Sequence, residues 1–344
     1  MASEKDKKNQ LSDLGEFGLI RRLTSGLKLK NSSSVRGPGD DAAIIDYKGK
    51  MVVATTDLLT EGIHFNLVYT PLKHLGYKAA VVNFSDIFAM NAIPRQMLIS
   101  IAISAKFTIP MIDELYEGIG KACDQYGVDL AGGDTSSSMT GLTLSVTALG
   151  EAGKDNIVYR SGAQPNDLIC VSGNLGAAYM GLQLLERERR VFETTGQQPV
   201  LEDYQYILQR QLKPEPRGDI VQLLRELDIK PTAMIDVSDG LSSDLIHICN
   251  ESKAGCVIYE TKIPVDPETA KMAAEMNISP VTAALNGGED YELLFTVPLS
   301  LYDIIRQRSE ISVIGHMVSE KEGKKLITRQ EREVNLIAQG WRSF

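Results

Sequence analysis

Three observations predict an α+β fold in two domains. The chain has 344 residues, more than one typical core accommodates. Its segments mix short apolar runs with helical stretches, without the strict βαβα alternation of a doubly wound sheet. Between Gly150 and Gly162 it turns glycine-rich and polar, which divides it into an N-terminal domain (residues 1–150) and a C-terminal domain (151–344).

The elements follow in order. Leu14 to Leu27 carries apolar residues at helical spacing and closes at Gly26. Residues 42–46 and 51–55 are short apolar runs joined by Lys48-Gly49, a hairpin pattern. Leu72 to Met90 reads as a buried helix, 96–104 as a strand, and 111–126 as an amphipathic helix with Ile112, Leu115, Ile119 and Cys123 on one face. Strands follow at 128–131 and 142–149. In the second half, strands are expected at 168–172, 233–237, 256–260, 293–297 and 311–318. Helices are expected after Gly173-Asn174-Leu175-Gly176 and over 241–251, with Pro214 and Pro216 breaking another. Glu186 to Glu202, polar and charged, reads as a loop or a helix extension.

The composition narrows the function classes. Charged residues balance at 36 basic against 45 acidic, a net of −9, which disfavours a nucleic-acid or anionic-membrane surface. Cys123, Cys170, Cys249 and Cys256 form no CxxC pair and sit in apolar surroundings, as buried reduced thiols do. The residues through Gln10 are polar and lysine-rich, and no apolar run approaches membrane-spanning length. No signal peptide, no membrane span and a cytoplasmic location are therefore expected.

Five stretches set a carboxylate beside glycine or a small hydroxyl residue, each expected at a strand end: Gly39-Asp40-Asp41-Ala42-Ala43, Thr55-Thr56-Asp57, Gly132-Gly133-Asp134-Thr135, Asp236-Val237-Ser238-Asp239-Gly240 and Gly287-Gly288-Glu289-Asp290. A sixth, Asn83-Phe84-Ser85-Asp86, falls inside a helix. Small neighbours let a bulky anion approach the backbone, and hard carboxylate oxygens suit Mg²⁺. One such Asp alone is usually a cap or an Asx-turn. The joint pattern is different, because Asp40-Asp41 is a like-charge pair and Asp86 follows an apolar helical run where an uncompensated carboxylate is costly. Asp40, Asp57, Asp86, Asp134, Asp236 and Asp239 are thus the candidate ligands of one multi-metal phosphate site drawn from both domains. Gly132 and Gly133 fit either a glycine-rich hairpin turn, the commoner reading of such a segment alone, or free amides offered to a phosphate beside Asp134. Gly173-Asn174-Leu175-Gly176 fits either an anion site at a helix N-terminus or close strand–helix packing. His64 follows an acidic turn within reach of a substrate. Trp341, the lone tryptophan, is either a packing plug or a stacking surface for a flat ring. Neither GxxxxGK[ST] nor GxGxxG occurs, so P-loop, protein-kinase and Rossmann fingerprints are absent.

Taken in order, GDDAA, TTDLLTEGIHF, NFSDIFAM, GGDT, YRSGA, DVSDGL and GGEDYELLF resemble the thiamine-monophosphate kinase family, within the superfamily of aminoimidazole ribonucleotide synthetase, from about Leu14 to Trp341. The resemblance implies an N-terminal mixed sheet that pairs with a second copy into a barrel, a C-terminal α/β sandwich, and a homodimer. It implies transfer of the γ-phosphoryl of ATP to thiamine monophosphate with several Mg²⁺ ions. Carried onto matching positions, the six Asp residues ligate metal with help from Thr56, and Asp57, Asp134 and Asp239 serve the transfer. Tyr116, Gly132, Gly133, Arg160 and Ser238 contact ATP, while His64, Glu289 and Trp341 hold the thiamine moiety. No cysteine precedes Cys123, unlike the selenophosphate synthetase pattern, and Asp57-Leu58-Leu59-Thr60-Glu61-Gly62 replaces the DGVGTK of the purine-pathway sibling. An ATP-dependent ligase or cyclase of that kind, and a nucleotide-binding subunit without turnover, are the alternatives.

Overall fold

The computed structural model describes residues 34–36, 40–47, 49–199 and 201–339; the expected helix over 14–27 and Trp341 lie outside these described residues. The first sheet is built from β1 (Ser34–Arg36), β2 (Ala43–Asp46), β3 (Met51–Thr60), β4 (Ile93–Ile103), β5 (Asp129–Ser137) and β6 (Leu142–Ala152), in the order β1-β2-β3-β6-β4-β5. The β2–β3 hairpin is antiparallel, as the apolar runs around Lys48-Gly49 predict, whereas β4 and β5 are parallel and joined through a helix.

Helices α1 (Leu72–Ala89) and α2 (Ile109–Tyr126) connect these strands. They pack so closely that a Cβ on Gly76 would lie 2.0 Å from Leu115 O, and one on Gly118 would lie 1.9 Å from Lys73 O. Only glycine fits either crossing point. Nearly all of α1 is buried, including Lys78, Asn83 and Ser85, so it lacks the one-sided apolar stripe of a surface helix. It also packs on β3, β4 and β6 of the first sheet and, from the second half, against the strand Ala233–Asp236 and the helices Gln205–Leu212 and Gly218–Glu226, which makes it the shared central rod of the molecule.

The second half contributes β7 (Leu168–Ser172), α3 (Ala177–Thr195), α4 (Gln205–Leu212), α5 (Gly218–Glu226), β8 (Ala233–Asp236), α6 (Leu241–Ser252), β9 (Ala254–Tyr259), α7 (Pro267–Glu275), α8 (Pro280–Asn286), β10 (Leu293–Val297), β11 (Ile311–Ser319), β12 (Lys324–Ile327) and β13 (Glu333–Asn335). Its sheet runs β13-β12-β9-β11-β7-β10-β8. Both faces of β7 and β10 are covered. Leu168, Cys170, Leu293, Phe295 and Val297 join the core that contains α1, while Ile169, Val171 and Leu294 face a second core with α6. Double burial explains why these strands read as continuous apolar runs. The charged 186–195 stretch is the end of α3, so the helix-extension alternative holds there.

Glu215, in the Lys213-Pro214-Glu215-Pro216 bend, ties the halves together. Its Oε2 accepts hydrogen bonds from Tyr77 Oη at 2.6 Å, Tyr126 Oη at 2.7 Å and Gln125 Nε2 at 3.0 Å. The four cysteines are buried free thiols. Among the described residues no helix is long and apolar enough to cross a membrane.

Candidate active site

Four of the acidic segments, those of Asp41, Asp57, Asp86 and Asp236, meet where the C-terminal part of α1 passes the end of β8. Carboxylate oxygens of Asp41, Asp86 and Asp236 lie within 4.8 Å of one another. Thr55 Oγ1 donates to Asp86 Oδ2 at 2.6 Å, and Ser85 Oγ donates to Asp236 Oδ2 at 2.6 Å. Burial pushes the Asp86 carboxyl well above its usual range, and the charges of Asp57, Asp236 and Asp41 push it further. Asp236 is driven up to about 7, first by burial and then by Asp41. Two hydroxyls and the single guanidinium of Arg160 compensate this like-charge cluster only in part, and a hard divalent cation is the chemistry that would relieve it.

Period-two alternation in β3 decides which of its residues take part. Thr55 faces Asp86, and Asp57, two positions on, is close enough to raise the Asp86 pKa. The Thr56 side chain points the other way, donating to Val146 O at 2.9 Å, so the structure does not bring its hydroxyl to the acidic centre. Thr55-Thr56-Asp57 also lies inside β3 and Gly132 to Thr135 inside β5, not at strand ends as expected, because both strands extend well past their apolar runs.

Asp41, and not Asp40, sits in the three-carboxylate cluster. Arg160 grips Asp41 with two parallel bonds, Nε to Oδ2 at 2.7 Å and Nη2 to Oδ1 at 2.8 Å. Asp40 instead meets Arg36 Nη2 at 2.7 Å and the Arg160 amide at 3.1 Å. Its carboxyl is raised to about 6 by burial and then by Asp41. Arg160 therefore organises the Asp40-Asp41 pair through the bidentate geometry that only a guanidinium provides.

The Asp236 to Gly240 segment follows β8 directly. Asp244, one turn into α6, accepts from the amides of Ser238 (3.1 Å), Asp239 (3.2 Å) and Gly240 (3.1 Å) through one oxygen. The turn is thereby clamped with the Ser238 side chain exposed and Asp239 half-buried.

The Gly287 to Asp290 loop precedes β10 and lies along the same turn. Glu289 N donates to Ser238 O at 2.7 Å and Tyr291 N to Val237 O at 2.9 Å. Gly288, at φ 72°, is required here, since a Cβ would come 2.5 Å from Ser238 O. Lys78 Nζ reaches Glu289 Oε1 at 2.8 Å, and Gln211 Nε2 donates to Glu289 Oε2 at 2.9 Å.

Gly132, Gly133 and Asp134 are exposed on the edge strand β5. With Tyr116, Ile99, Leu130 and Thr135 they line a polar cleft of about 440 Å³. The His64 ring is exposed, its Nδ1 accepting from Thr60 N at 3.0 Å. In the Gly173 to Gly176 segment the Gly176 amide donates to buried Asp290 Oδ2 at 2.8 Å and the Leu175 amide to Pro264 O at 3.0 Å. Of the two alternatives for this loop, internal packing is what these amides serve.

Residues 39–152 match the family described as AIR synthase related protein, N-terminal domain. Over 337 residues the chain is 34% identical to the thiamine-monophosphate kinase of Bacillus subtilis, covering 96% of this chain and all of the relative. The chain belongs to the thiamine-monophosphate kinase family. The Salmonella typhimurium member is 36% identical over 91% of this chain and 93% of its own. A solved structure of AaThiL complexed with AMPPCP and TMP superposes with a TM-score of 0.84 at 32% identity, covering 98% of this chain and 99% of the other. Hydrogenase maturation protein HypE in complex with ATP shares the fold, at a TM-score of 0.68 and 20% identity over 95% of this chain and 97% of that one.

Several residues of this thiamine-monophosphate kinase family member escaped sequence reasoning: Asp41 as a cluster member, Thr55, Lys78 and Asp244. Lys78 leaves a signal, since a lysine inside the apolar run Tyr77 to Val82 must be buried and paired. Asp244 leaves none, because an acid in the first turn of a helix is an ordinary helix-start feature.

Proposed function

We propose that the chain transfers the γ-phosphoryl group of ATP to the phosphate of thiamine monophosphate, releasing thiamine diphosphate and ADP. The observation that carries this is the buried interdomain carboxylate cluster, in a chain that matches the Bacillus subtilis thiamine-monophosphate kinase over its full length. The attacking phosphate is already anionic at neutral pH, so the site has to neutralise charge and align reactants and needs no strong base. Asp41, Asp86 and Asp236, together with Asp40, Asp57 and Asp239 and with Asp134 on the separate β5 cleft, would hold Mg²⁺ ions. Such ions, when bound, supply charge neutralisation to the phosphate oxygens.

Gly132, Gly133 and Tyr116 in the β5 cleft, with Arg160 and Ser238, are assigned to ATP. His64, Glu289 and Trp341 are assigned to the thiamine moiety. The outer face of the first sheet exposes Leu58, Leu98 and Leu130, which suits pairing with a second copy in a homodimer. Reduced thiols and an ATP substrate suit the cytoplasm.

An ADP-release assay with ATP, Mg²⁺ and thiamine monophosphate, followed by chromatography of the thiamine products, tests the assignment. Thiamine diphosphate formed one-for-one with ADP supports it. ADP release that does not depend on thiamine monophosphate contradicts it.

A further inference from the structure

Lys78 is the basic partner of Glu289, and the two come from different halves of the molecule. The lysine stands on α1 with its side chain 5% exposed, while the Glu289 side chain is 31% exposed. Lys78 Nζ also donates to Gln211 O at 3.1 Å, and Gln211 Nε2 returns a bond to the second Glu289 oxygen at 2.9 Å. The triangle fixes both carboxylate oxygens, each with one protein donor and at least one lone pair to spare. The backbone of Glu289 is held as well, at φ 57° in the left-handed region that a non-glycine residue adopts only under constraint. So much restraint on a carboxylate that keeps an open edge indicates a group built to present its remaining lone pairs in one direction.

Electrostatics then restricts what Glu289 can recognise. A carboxylate already neutralised by a buried ammonium 2.8 Å away offers little net field to a cationic ring. It remains a strong, oriented hydrogen-bond acceptor. We propose that Lys78 is a positioning and specificity residue: it neutralises and aims Glu289, so that Glu289 binds the acceptor substrate through an N–H donor and not as the counter-ion of a ring cation. This rests on the proposed thiamine monophosphate reaction, whose acceptor carries both a neutral amino group and a cationic thiazolium.

Steady-state kinetics of the full-length enzyme, with each substrate varied in turn, tests the inference after wild-type turnover of thiamine monophosphate has been established separately. Lys78→Met is expected to lower kcat/KM for thiamine monophosphate about tenfold or more, with the KM for ATP changed less than about twofold. Lys78→Met/Glu289→Gln removes both charges, leaves no buried ion unpaired, and is expected to be several-fold better than Lys78→Met alone. Should the single variant fail to fold, the comparison passes to Glu289→Gln, which the double variant is likewise expected to exceed. A Lys78→Met enzyme with a lower KM for thiamine monophosphate would overturn the proposal, since that is how an unmasked counter-ion behaves. Single losses that simply multiply in the double variant, or equal rises in both KM values, would also overturn it. Absent wild-type turnover would count against the parent reaction instead.

Discussion

Ser85 and Asp236 are 151 positions apart in sequence and 2.6 Å apart in space, the serine hydroxyl donating to the carboxylate. That bond joins α1 of the first half to the end of β8 in the second. It lies beside the carboxylate cluster, so the site exists only when the two halves are packed together. A single central helix supplies Lys78 to the Glu289 side and Ser85 and Asp86 to the acidic side.

Asp86 gives the first prediction. Burial and three neighbouring acids raise its pKa, so holding it ionised, as a metal ligand must be, is unfavourable without a cation. Asp86→Asn should lose about two orders of magnitude or more in turnover while melting at the same temperature or a few degrees higher. Retained turnover would remove Asp86 from the site.

Asp244 should behave as a turn clamp. Its three accepted amide bonds can be made by an amide oxygen in the same place. Asp244→Asn should therefore keep most activity, whereas Asp244→Ala should lower it about tenfold or more and raise the Mg²⁺ concentration needed for half-maximal rate. Equal loss in both variants would refute the clamp.

Arg160→Lys tests the bidentate grip on Asp41. A point charge cannot make both bonds, so kcat/KM should fall about tenfold with the charge conserved. Wild-type kinetics in this variant would reduce Arg160 to a simple positive charge.

Asp290 predicts a pH dependence away from the metal cluster. Burial is the largest influence on it and raises its pKa to about 7, against a smaller opposing pull from Arg210. Between about pH 4 and pH 7 the folded state therefore holds a proton that the unfolded chain has released. The contribution of Asp290 is full below that window and is lost as pH rises through it. Asp290→Asn, which cannot titrate, should gain stability relative to wild type from pH 5 to pH 8. Denaturant midpoints with the same difference at both pH values would contradict this.

The sequence made the buried elements legible. Leu72–Ala89, Leu168–Ser172 and Leu293–Val297 were expected almost residue for residue, because continuous apolar runs bounded by glycine or proline leave few alternatives. The ends of β3 and β5 were not, since their distal halves carry Thr, Asp, Gly and Ser, which also spell turns. Asp86 and Asp236, two of the expected ligands, do meet, yet Asp41 and Thr55 took the places expected of Asp40 and the Thr56 side chain, and Asp134 lies apart on the exposed edge strand β5. Neighbouring identical residues cannot be told apart by type. Only the strand alternation and the Arg160 and Arg36 partners decide which one turns inward.

The central claim is that both halves share one divalent-cation centre, and Mn²⁺ binding followed by electron paramagnetic resonance tests it most directly. The wild-type protein with ATP should bind Mn²⁺, and Asp86→Asn and Asp236→Asn should each lose at least one bound ion together with turnover. The same stoichiometry and affinity in wild type and both variants would contradict the claim.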